Sequence, residues 1–248
     1  MNTEYNVIEL RRYTIQPGRR ATFGRYFETY FPEAFQQLGA IAYGHFYERE
    51  QPDRFTWLRG YQDMEHRLAV NRAFYYGPVW AEHKSAVNSL IANSDDVLLL
   101  RPIDPGHGLP LLRAVDPVSE PEGAGGIVVA QIFKVCDDRL DSFLQRAEIG
   151  FAGYRGPGLI ELGVLATLDV PNNFPQHPVR TDGTYVVWFG ALQDEDALAC
   201  FRPALDIVAD GLARTGLLDG PTETVILDPS VRSRLRWQRP VTQLARAA

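Results

Sequence analysis

The sequence predicts an α+β fold made of two tandem ferredoxin-like units, each with the element order β-α-β-β-α-β. Three observations favour this class. The order of strand and helix patterns in residues 7–102 recurs in residues 126–227. Short segments of the two halves align with one another, and a stretch rich in proline and glycine separates them. Together they indicate an internal duplication.

The first unit is predicted from hydrophobic periodicity and turn signals. Its elements are strand 7–15, helix 19–38, strands 40–49 and 54–61, helical region 63–93 and a strand in DDVLLLRP. The first helix carries five aromatic residues at helical spacing, and the QPD segment joins the two middle strands as a hairpin. The second helical region breaks before Pro78, because proline can begin a helix but cannot continue one.

The second unit follows the same plan. Its elements are strand 126–135, helix 138–152, strands 159–168 and 184–192, helix 194–215 and strand 223–227. FTWLRGYQD (55–63) aligns with VVWFGALQD (186–194), which places Trp57 opposite Trp188. GAIAYG (39–44) aligns with GLIELG (158–163).

These patterns divide the chain into two units, a linker and a tail. The expected bounds are 1–103 for the first unit, 104–125 for the linker, 126–230 for the second unit and 231–248 for a basic C-terminal tail. Residues 102–126 hold five prolines and five glycines, which is a linker composition. The basic run RSRLRWQR (232–239) is expected to be solvated or to face another subunit.

A four-stranded sheet with both helices on one side leaves its other face uncovered. Burying that face stabilises the fold by roughly 25 cal/mol per Å² of apolar surface. The nearest available cover is the sheet of the other unit. We therefore expect the two sheets to face each other as a barrel, within one chain or across a dimer.

Composition excludes several classes of partner. The net charge of −6 disfavours nucleic acid, which requires a concentrated basic surface. No run reaches the roughly 20 apolar residues that span a bilayer, and the N-terminus lacks a secretory signal layout. A cytoplasmic protein that acts on a small molecule, without nucleic-acid or membrane partners, is the expectation.

No cofactor or metal is expected. Cys136 and Cys200 have neither the spacing of a zinc site nor that of a redox pair. The five histidines form no HxH or HExxH pattern, and no glycine-rich phosphate-binding motif follows a strand.

The first half resembles the NIPSNAP family, within the dimeric alpha-beta barrel superfamily. The resemblance lies in IELRRYTIQPGR, in the hairpin, and in FYYGPVWAEHKSAVNSLIANSDDVLLLRP. It implies tandem ferredoxin-like units, barrel packing and a homodimer. The superfamily hosts monooxygenases, isomerases, dehydratases and haem enzymes, so the resemblance leaves the reaction open. Haem is disfavoured, because chlorite-dismutase-type barrels hold it through a histidine on a helix of the second half, and helix 194–215 has none.

Strand alternation predicts a polar, aromatic lumen wall in the first unit. The residues assigned to this wall are Glu9, Arg11, Tyr13, Tyr43, His45, Tyr47, Trp57, Arg59 and Tyr61. The opposite face, with Phe46, Leu58 and Gly60, is expected to pack on the helices. The aligned lumen positions of the second unit are almost wholly apolar: Leu162, Val164, Ala166, Trp188, Gly190 and Leu192. Such a cavity suits a ligand with one polar end and an aromatic body.

Catalytic roles are predicted for His45, Arg59 and Tyr43. His45 is the candidate general acid or base, oriented by Tyr43, Tyr47 or Glu9. Arg59 is expected to hold an anionic group through a two-pronged hydrogen bond. The substrate-binding residues are predicted to be Glu9, Arg11, Tyr13, Tyr47, Trp57, Tyr61, Trp188 and Leu162. The alternative is that Glu9, Arg11 and Arg59 form ion pairs that fill the barrel while the tyrosines only pack.

The segment DVPNNFPQHPVRTDG (169–183) is far longer than its counterpart QPD. It is either a lid that brings Phe174 and His177 to the cavity or a surface insertion. The function predicted from these observations is cofactor-independent acid/base chemistry on a small organic acid, phenolic or polyketide-like molecule, of the lyase, isomerase or monooxygenase type. The alternative is a non-catalytic binding or assembly module.

Overall fold

The computed structural model describes residues 4–154 and 158–238. The first copy consists of β1 (Val7–Ile15), α1 (Arg20–Tyr30), α2 (Pro32–Gln37), β2 (Ile41–Glu48), β3 (Arg54–Tyr61), α3 (Met64–Tyr75), α4 (Pro78–Asn88) and β4 (Ile91–Pro102). The second consists of β5 (Ile127–Val135), α5 (Leu140–Phe151), β6 (Leu159–Thr167), β7 (Thr184–Leu192), α6 (Glu195–Ala213) and β8 (Glu223–Pro229). Both copies are ferredoxin-like, as predicted.

The eight strands form one closed barrel within a single chain, in the order β1-β3-β2-β8-β5-β7-β6-β4. The two sheets join at β2–β8, where Tyr47 lies opposite Asp228, and at β4–β6, where Arg101 lies opposite Ala166. Closure gives every one of these strands two neighbours, so the sheet edges are paired. Among the described helices, none combines the length and the apolarity needed to cross a bilayer.

Two helical predictions need correction. The helix expected over 19–38 is divided at Pro32, which is the first residue of α2 and has no N–H to continue α1. The second helical region ends at Asn88 instead of residue 93, because Ile91 already pairs with Ile15 in the sheet. The predicted break before Pro78 is confirmed, since Pro78 begins α4.

Apolar side chains from both copies fill the lumen. They include Ile8, Leu10, Phe46, Leu58, Leu98, Leu100, Val128, Ala130, Val187, Phe189 and Leu227, all buried in one cluster. One end of the lumen is polar: Arg12 donates from Nε and Nη2 to the two carboxylate oxygens of Glu48 at 2.8 and 2.9 Å. Thr56 donates to the same carboxylate at 2.6 Å. The lumen is therefore a packed core closed by an ion pair.

The predicted lumen wall instead faces the helices. This correction applies to Glu9, Arg11, Tyr13, His45, Tyr47, Trp57, Arg59 and Tyr61. In the second copy it applies to Val164, Ala166, Trp188 and Leu192, which cluster with residues of α5 and α6. The ion pairs that the alternative interpretation expected do form, but outside the lumen. The location is thus wrong, while the roles of these residues remain predictions.

A β-bulge explains why β2 contributes to both sides. The register of β2 shifts between Ala42 and Gly44, so that Tyr43 lies in the lumen cluster as predicted while His45 contacts Phe27 of α1. Such a bulge changes the phase of the alternation. β6 has its bulge between Glu161 and Gly163, at the aligned position, and the lumen placement of Leu162 is confirmed. The shared irregularity supports the duplication.

The side chains on the helices determine which face of the sheet packs against them. α1 to α3 present buried aromatic residues and three buried polar residues, Glu28, Arg67 and Asn71, to the sheet. Glu9 and Tyr61 find their polar partners there. The small face fits the lumen, because Gly60 leaves room for the ring of Tyr43. The polar face of the sheet therefore packs on the helices, because its buried charges find partners there. The expectation that the face of small residues packs on the helices is wrong.

The C-terminal segment packs against the barrel instead of being solvated. Leu235 is fully buried in the lumen cluster, and the backbone N–H of Leu235 donates to the carbonyl of Tyr43 at 2.7 Å. Arg236 is buried and donates to both carboxylate oxygens of Glu120, at 2.7 and 2.8 Å. The remainder of the predicted tail, 239–248, lies outside the described residues.

Candidate functional site

Four buried charged residues lie between β1, β3 and α3. Glu9 accepts hydrogen bonds from Arg11 Nη1 at 2.9 Å, Arg59 Nη2 at 2.7 Å and Arg67 Nε at 2.7 Å. All four residues are 0% exposed. We call them the charged quartet. β1 and β3 supply Glu9, Arg11 and Arg59 because Glu9 lies opposite Arg59 in the antiparallel register.

The charged quartet carries an excess of positive charge. Burial alone raises the pKa of Glu9, but the charges of Arg59, Arg11 and Arg67 outweigh it and hold that pKa well below its usual value. Three guanidinium groups therefore share one ionised carboxylate. Among the described residues, two of these positive charges have no carboxylate of their own in a region of low dielectric, which favours an anion nearby.

A cavity of about 250 Å³ lies on the other side of aromatic rings that contact the charged quartet. It lies between the outer face of the first sheet and the helices of the first copy. Its wall includes Tyr13, Phe23, Phe27, Phe31, Phe35, Trp57, Phe74, Tyr75, Trp80, Asp95 and His177. The volume is slightly below the usual range for drug-sized ligands and suits a molecule of one to three rings. We call this space the aromatic cavity.

The guanidinium groups lie directly behind the aromatic wall. The carbon of the Arg59 guanidinium is 4.6 Å from the ring centroid of Phe35 and 5.2 Å from that of Trp57. The Arg11 guanidinium is 5.5 Å from the rings of Tyr13 and Trp57. Within the described residues, the indole N–H of Trp57 has no acceptor. A ligand in the aromatic cavity therefore lies in the positive electrostatic potential of these guanidinium groups.

The loop between β6 and β7 covers this site, although it belongs to the second copy. Its Asn172 and Asn173 side-chain oxygens accept from Arg67 Nη1 at 3.1 and 2.7 Å. Phe174 is buried and stacks on Tyr75 at 5.8 Å between ring centroids. Segment 169–183 therefore lies over the site, which is the position expected of a lid. In this way the second copy completes the cavity wall of the first copy.

His177 is the histidine of the aromatic cavity. Its ring stacks on Tyr75 with 3.9 Å between centroids and on Phe174 with an interplanar angle of 8°. Burial, and after it the positive charges of Arg11 and Arg59, lower the pKa of His177 to about 3. The imidazole is therefore neutral across the physiological pH range.

His45 and Tyr43 lie elsewhere. His45 Nδ1 is 2.6 Å from Ser230 Oγ and 3.1 Å from Glu28 Oε1, and it does not line the aromatic cavity. The ring of Tyr43 lies in the lumen, 5.9 Å from that of Tyr5. The three predicted catalytic residues are thus not brought together. Of the three, Arg59 alone belongs to the charged quartet.

The sequence-based assignment missed Arg67, Asn71 and Tyr75. All three lie on α3, and Tyr61 donates to Asn71 Oδ1 at 3.0 Å. The sequence pattern that could have identified them is their spacing of i, i+4 and i+8, which places an arginine, an asparagine and a tyrosine on one face of the helix. Among the described residues, no group of three or more histidine, cysteine or acidic side chains could hold a metal ion.

The second copy lacks the charged quartet. The aligned residues are Val129, Gln131, Gly190 and Leu198 in place of Glu9, Arg11, Arg59 and Arg67. The equivalent space in the second copy is a larger cavity of about 590 Å³, but its acidic side chains Glu148 and Glu161 are exposed. Trp188 Nε1 is already partnered, donating to Glu161 at 2.9 Å. The aromatic cavity of the first copy is therefore the stronger candidate site.

Comparison with known proteins places the chain among α/β barrels. A solved structure from Fusobacterium nucleatum, named "putative monooxygenase", has a TM-score of 0.59 at 11% identity and covers 96% of this chain and 100% of its own. An "anthrone oxidase-like protein" has a TM-score of 0.59 at 12% identity, covering 95% of this chain and 98% of its own. At such identities the similarity shows the fold alone.

The family comparison is more specific and covers the first copy. Residues 8–104 match the NIPSNAP family model. No curated protein sequence matches the chain significantly. The matched range contains β1, β3 and α3, and hence the whole charged quartet. Residues 8–104 are therefore similar to the NIPSNAP family, and the whole chain shares its barrel fold with the two solved structures.

Proposed function

We propose that the aromatic cavity binds a small planar molecule with an anionic or enolisable group, and that the protein is a cofactor-independent enzyme acting on such a molecule. The observation that carries the proposal is the buried excess of two positive charges directly behind an aromatic wall. The substrate class is a small organic acid, a phenol or a polyketide-like aromatic compound.

The chemistry follows from charge stabilisation. Removing a proton from a carbon next to a carbonyl, or from a phenol, leaves an anion whose free energy the charged quartet lowers. Arg11, Arg59 and Arg67 are held in place by their hydrogen bonds to Glu9. Because these donors and charges are fixed before the ligand arrives, they need no reorganisation during the reaction.

A monooxygenase reaction fits this site when molecular oxygen is the co-substrate. Anthrone is a suitable test compound, since a protein of similar fold is named anthrone oxidase-like. Deprotonation at its methylene carbon gives an enolate that reacts with oxygen. One oxygen atom becomes the new carbonyl and the other leaves as water, so anthrone and O₂ yield anthraquinone and H₂O.

Ligand binding tests the charge preference. The probes are 2-naphthoate, 2-naphthol and 2-naphthylmethylammonium, which share one ring system and differ in charge. We expect 2-naphthoate to bind at least about tenfold more tightly than the cation, measured by isothermal titration calorimetry. Equal affinity for anion and cation, or absence of saturable binding, would contradict the proposal.

A non-catalytic binding module is the second candidate. It is favoured by the observation that Arg11, Arg59 and Arg67 are all hydrogen-bonded to Glu9. In that case the quartet only tunes affinity for an anionic ligand. Oxidation of anthrone at the uncatalysed rate, combined with selective binding of 2-naphthoate, would favour this module over the enzyme.

A further inference from the structure

We propose that His177, supplied by the second copy, is the proton acceptor of the aromatic cavity and takes up a proton when an anion occupies the site beside Arg11 and Arg59. This inference rests on the proposed function of the same cavity. It assigns a residue that neither the family match nor the fold comparison identifies, because His177 lies outside residues 8–104.

The position of His177 is built by several contacts. The loop is held by Arg67, which donates to Asn172 and Asn173, and Asn173 Nδ2 also donates to the carbonyl of Met64. The imidazole is stacked on Tyr75 with centroids 3.9 Å apart. A loop fixed at its base and stacked at its tip presents the imidazole in one defined place at the cavity wall.

The ring nitrogens of His177 are available to a ligand. The hydrogen bonds that His177 makes to other described residues come from its backbone. Its N–H donates to the carbonyl of Phe174 at 3.1 Å, and its carbonyl accepts from Asn172 Nδ2 at 2.9 Å. His45, in contrast, is held at Nδ1 by Ser230 and Glu28. A neutral imidazole with free nitrogens at a cavity wall is suited to accept a proton.

Charges around His177 couple its protonation to the ligand. The charged and titratable groups that face it are Arg11, Arg59, Arg67 and Glu9 of the charged quartet, together with Tyr13, Tyr75 and Asp95 of the cavity wall. Positive charge from the quartet opposes protonation of the empty site. An anion offsets that charge, and the imidazole then becomes basic when substrate is present.

The proton transfer is simple to balance. The substrate C–H or O–H bond breaks, its proton moves to a ring nitrogen of His177, and the electron pair stays on the substrate as an enolate or phenolate. The quartet stabilises that anion, and the imidazolium forms an ion pair with it. The first copy therefore supplies the charge and the second copy supplies the base.

Proton uptake on binding tests the inference directly. The full-length chain is titrated with 2-naphthoate at pH 5.5 in acetate and in Bis-Tris, whose ionisation enthalpies differ. Wild type is expected to take up between about one half and one proton per ligand, which requires the bound anion to raise the titration midpoint of His177 from about 3 to about 5.5 or above. His177→Gln is expected to take up close to none. His107→Gln, which alters an exposed histidine of the linker, is the matched control and should behave as wild type.

The outcomes separate the two claims. Binding of 2-naphthoate with equal proton uptake by wild type and His177→Gln overturns the role of His177 and leaves the anion site standing. Absence of binding by wild type overturns both. Should His177→Gln fold poorly, proton NMR of wild type decides alone: with 2-naphthoate the imidazole titration midpoint must rise from about 3 to about 5.5 or above. An unchanged midpoint overturns the inference.

Discussion

Arg59 and Gly190 occupy equivalent places in the two copies: Arg59 lies opposite Glu9 of β1, and Gly190 lies opposite Val129 of β5. A side chain at Gly190 would collide with the indole of Trp188, whose Cη2 lies 2.3 Å from the position of an added Cβ. The tryptophan of the second copy thus lies over the glycine. One copy has kept or acquired buried charge and the other has filled the same space with an aromatic ring.

Removing the carboxylate of the charged quartet should destabilise the protein strongly. In Glu9→Gln the side-chain volume is retained, but Arg11, Arg59 and Arg67 lose the only carboxylate that pairs with them among the described residues. Breaking a buried ion pair by removing one partner costs about 3–5 kcal/mol. Urea denaturation of the variant against wild type measures the change in the free energy of unfolding.

Glu9→Gln should lower stability but raise the affinity for an anionic ligand. Since Glu9→Gln increases the buried positive charge, its folded form should bind 2-naphthoate more tightly than wild type. Glu65→Gln, on the exposed face of α3, is the control and should change neither quantity. A stability loss below about 1 kcal/mol would mean that the guanidiniums do not depend on Glu9.

The packed lumen makes its glycines intolerant of larger residues. An added Cβ at Gly60 would lie 2.5 Å from Tyr43 Cε2 and 2.9 Å from Ile41 Cγ2. We expect Gly60→Ala to cost about 1–3 kcal/mol through overpacking. Gly211→Ala on α6 has no heavy atom within 4 Å and should raise stability by about 0.5–1 kcal/mol. Equal thermal midpoints for the two variants would argue against a filled lumen.

Acid should weaken the polar end of the lumen. Burial raises the pKa of Glu48, but the hydrogen bonds and the charge of Arg12 outweigh this and lower the pKa below its ordinary value. A carboxyl whose folded pKa is depressed stabilises the fold above its unfolded pKa, about 4.3, and loses that contribution as pH falls through the folded pKa. Stability measured in urea should therefore fall more steeply below about pH 4.5 in wild type than in Glu48→Gln. Parallel pH profiles would contradict this assignment.

The lid should contribute to affinity through its buried phenyl ring. Phe174 is 3% exposed and stacks on Tyr75, whereas Val170 on the same loop is 40% exposed. Phe174→Ala is expected to weaken binding of 2-naphthoate by about tenfold, or about 1.4 kcal/mol, because the cavity loses its cover. Val170→Ala should bind as wild type. If the two variants bind alike, the loop is a surface insertion without a role in the site.

The fold could be predicted from sequence because its signals are local and repeated. Strand alternation, turn residues and the breaks before Pro78 and in the linker define the elements, and the aligned segments around Trp57 and Trp188 define the duplication. The helix break at Pro32 and the early start of β4 were missed. At Pro32 the missing backbone N–H ends the helix despite the helical periodicity. At the start of β4, pairing in the sheet overrides that periodicity.

The location of the site could not be predicted from alternation alone. Alternation groups Glu9, Arg11 and Arg59 on one face correctly, but it does not say which side of the sheet that face takes. The decision depends on partners far away in sequence, above all Arg67 on α3 and the loop from the second copy. The bulge at Ala42 and Gly44 further separates Tyr43 from His45. These are tertiary effects, which no short sequence window contains.

The most direct test locates a heavy-atom ligand in a crystal of the full-length chain. With 6-bromo-2-naphthoate, the anomalous signal of bromine should appear in the aromatic cavity, between Trp57, Tyr75 and His177. A signal in the lumen beside Tyr43 and Phe189, or only in the cavity between α5 and β6, would contradict a site built from the charged quartet and the lid.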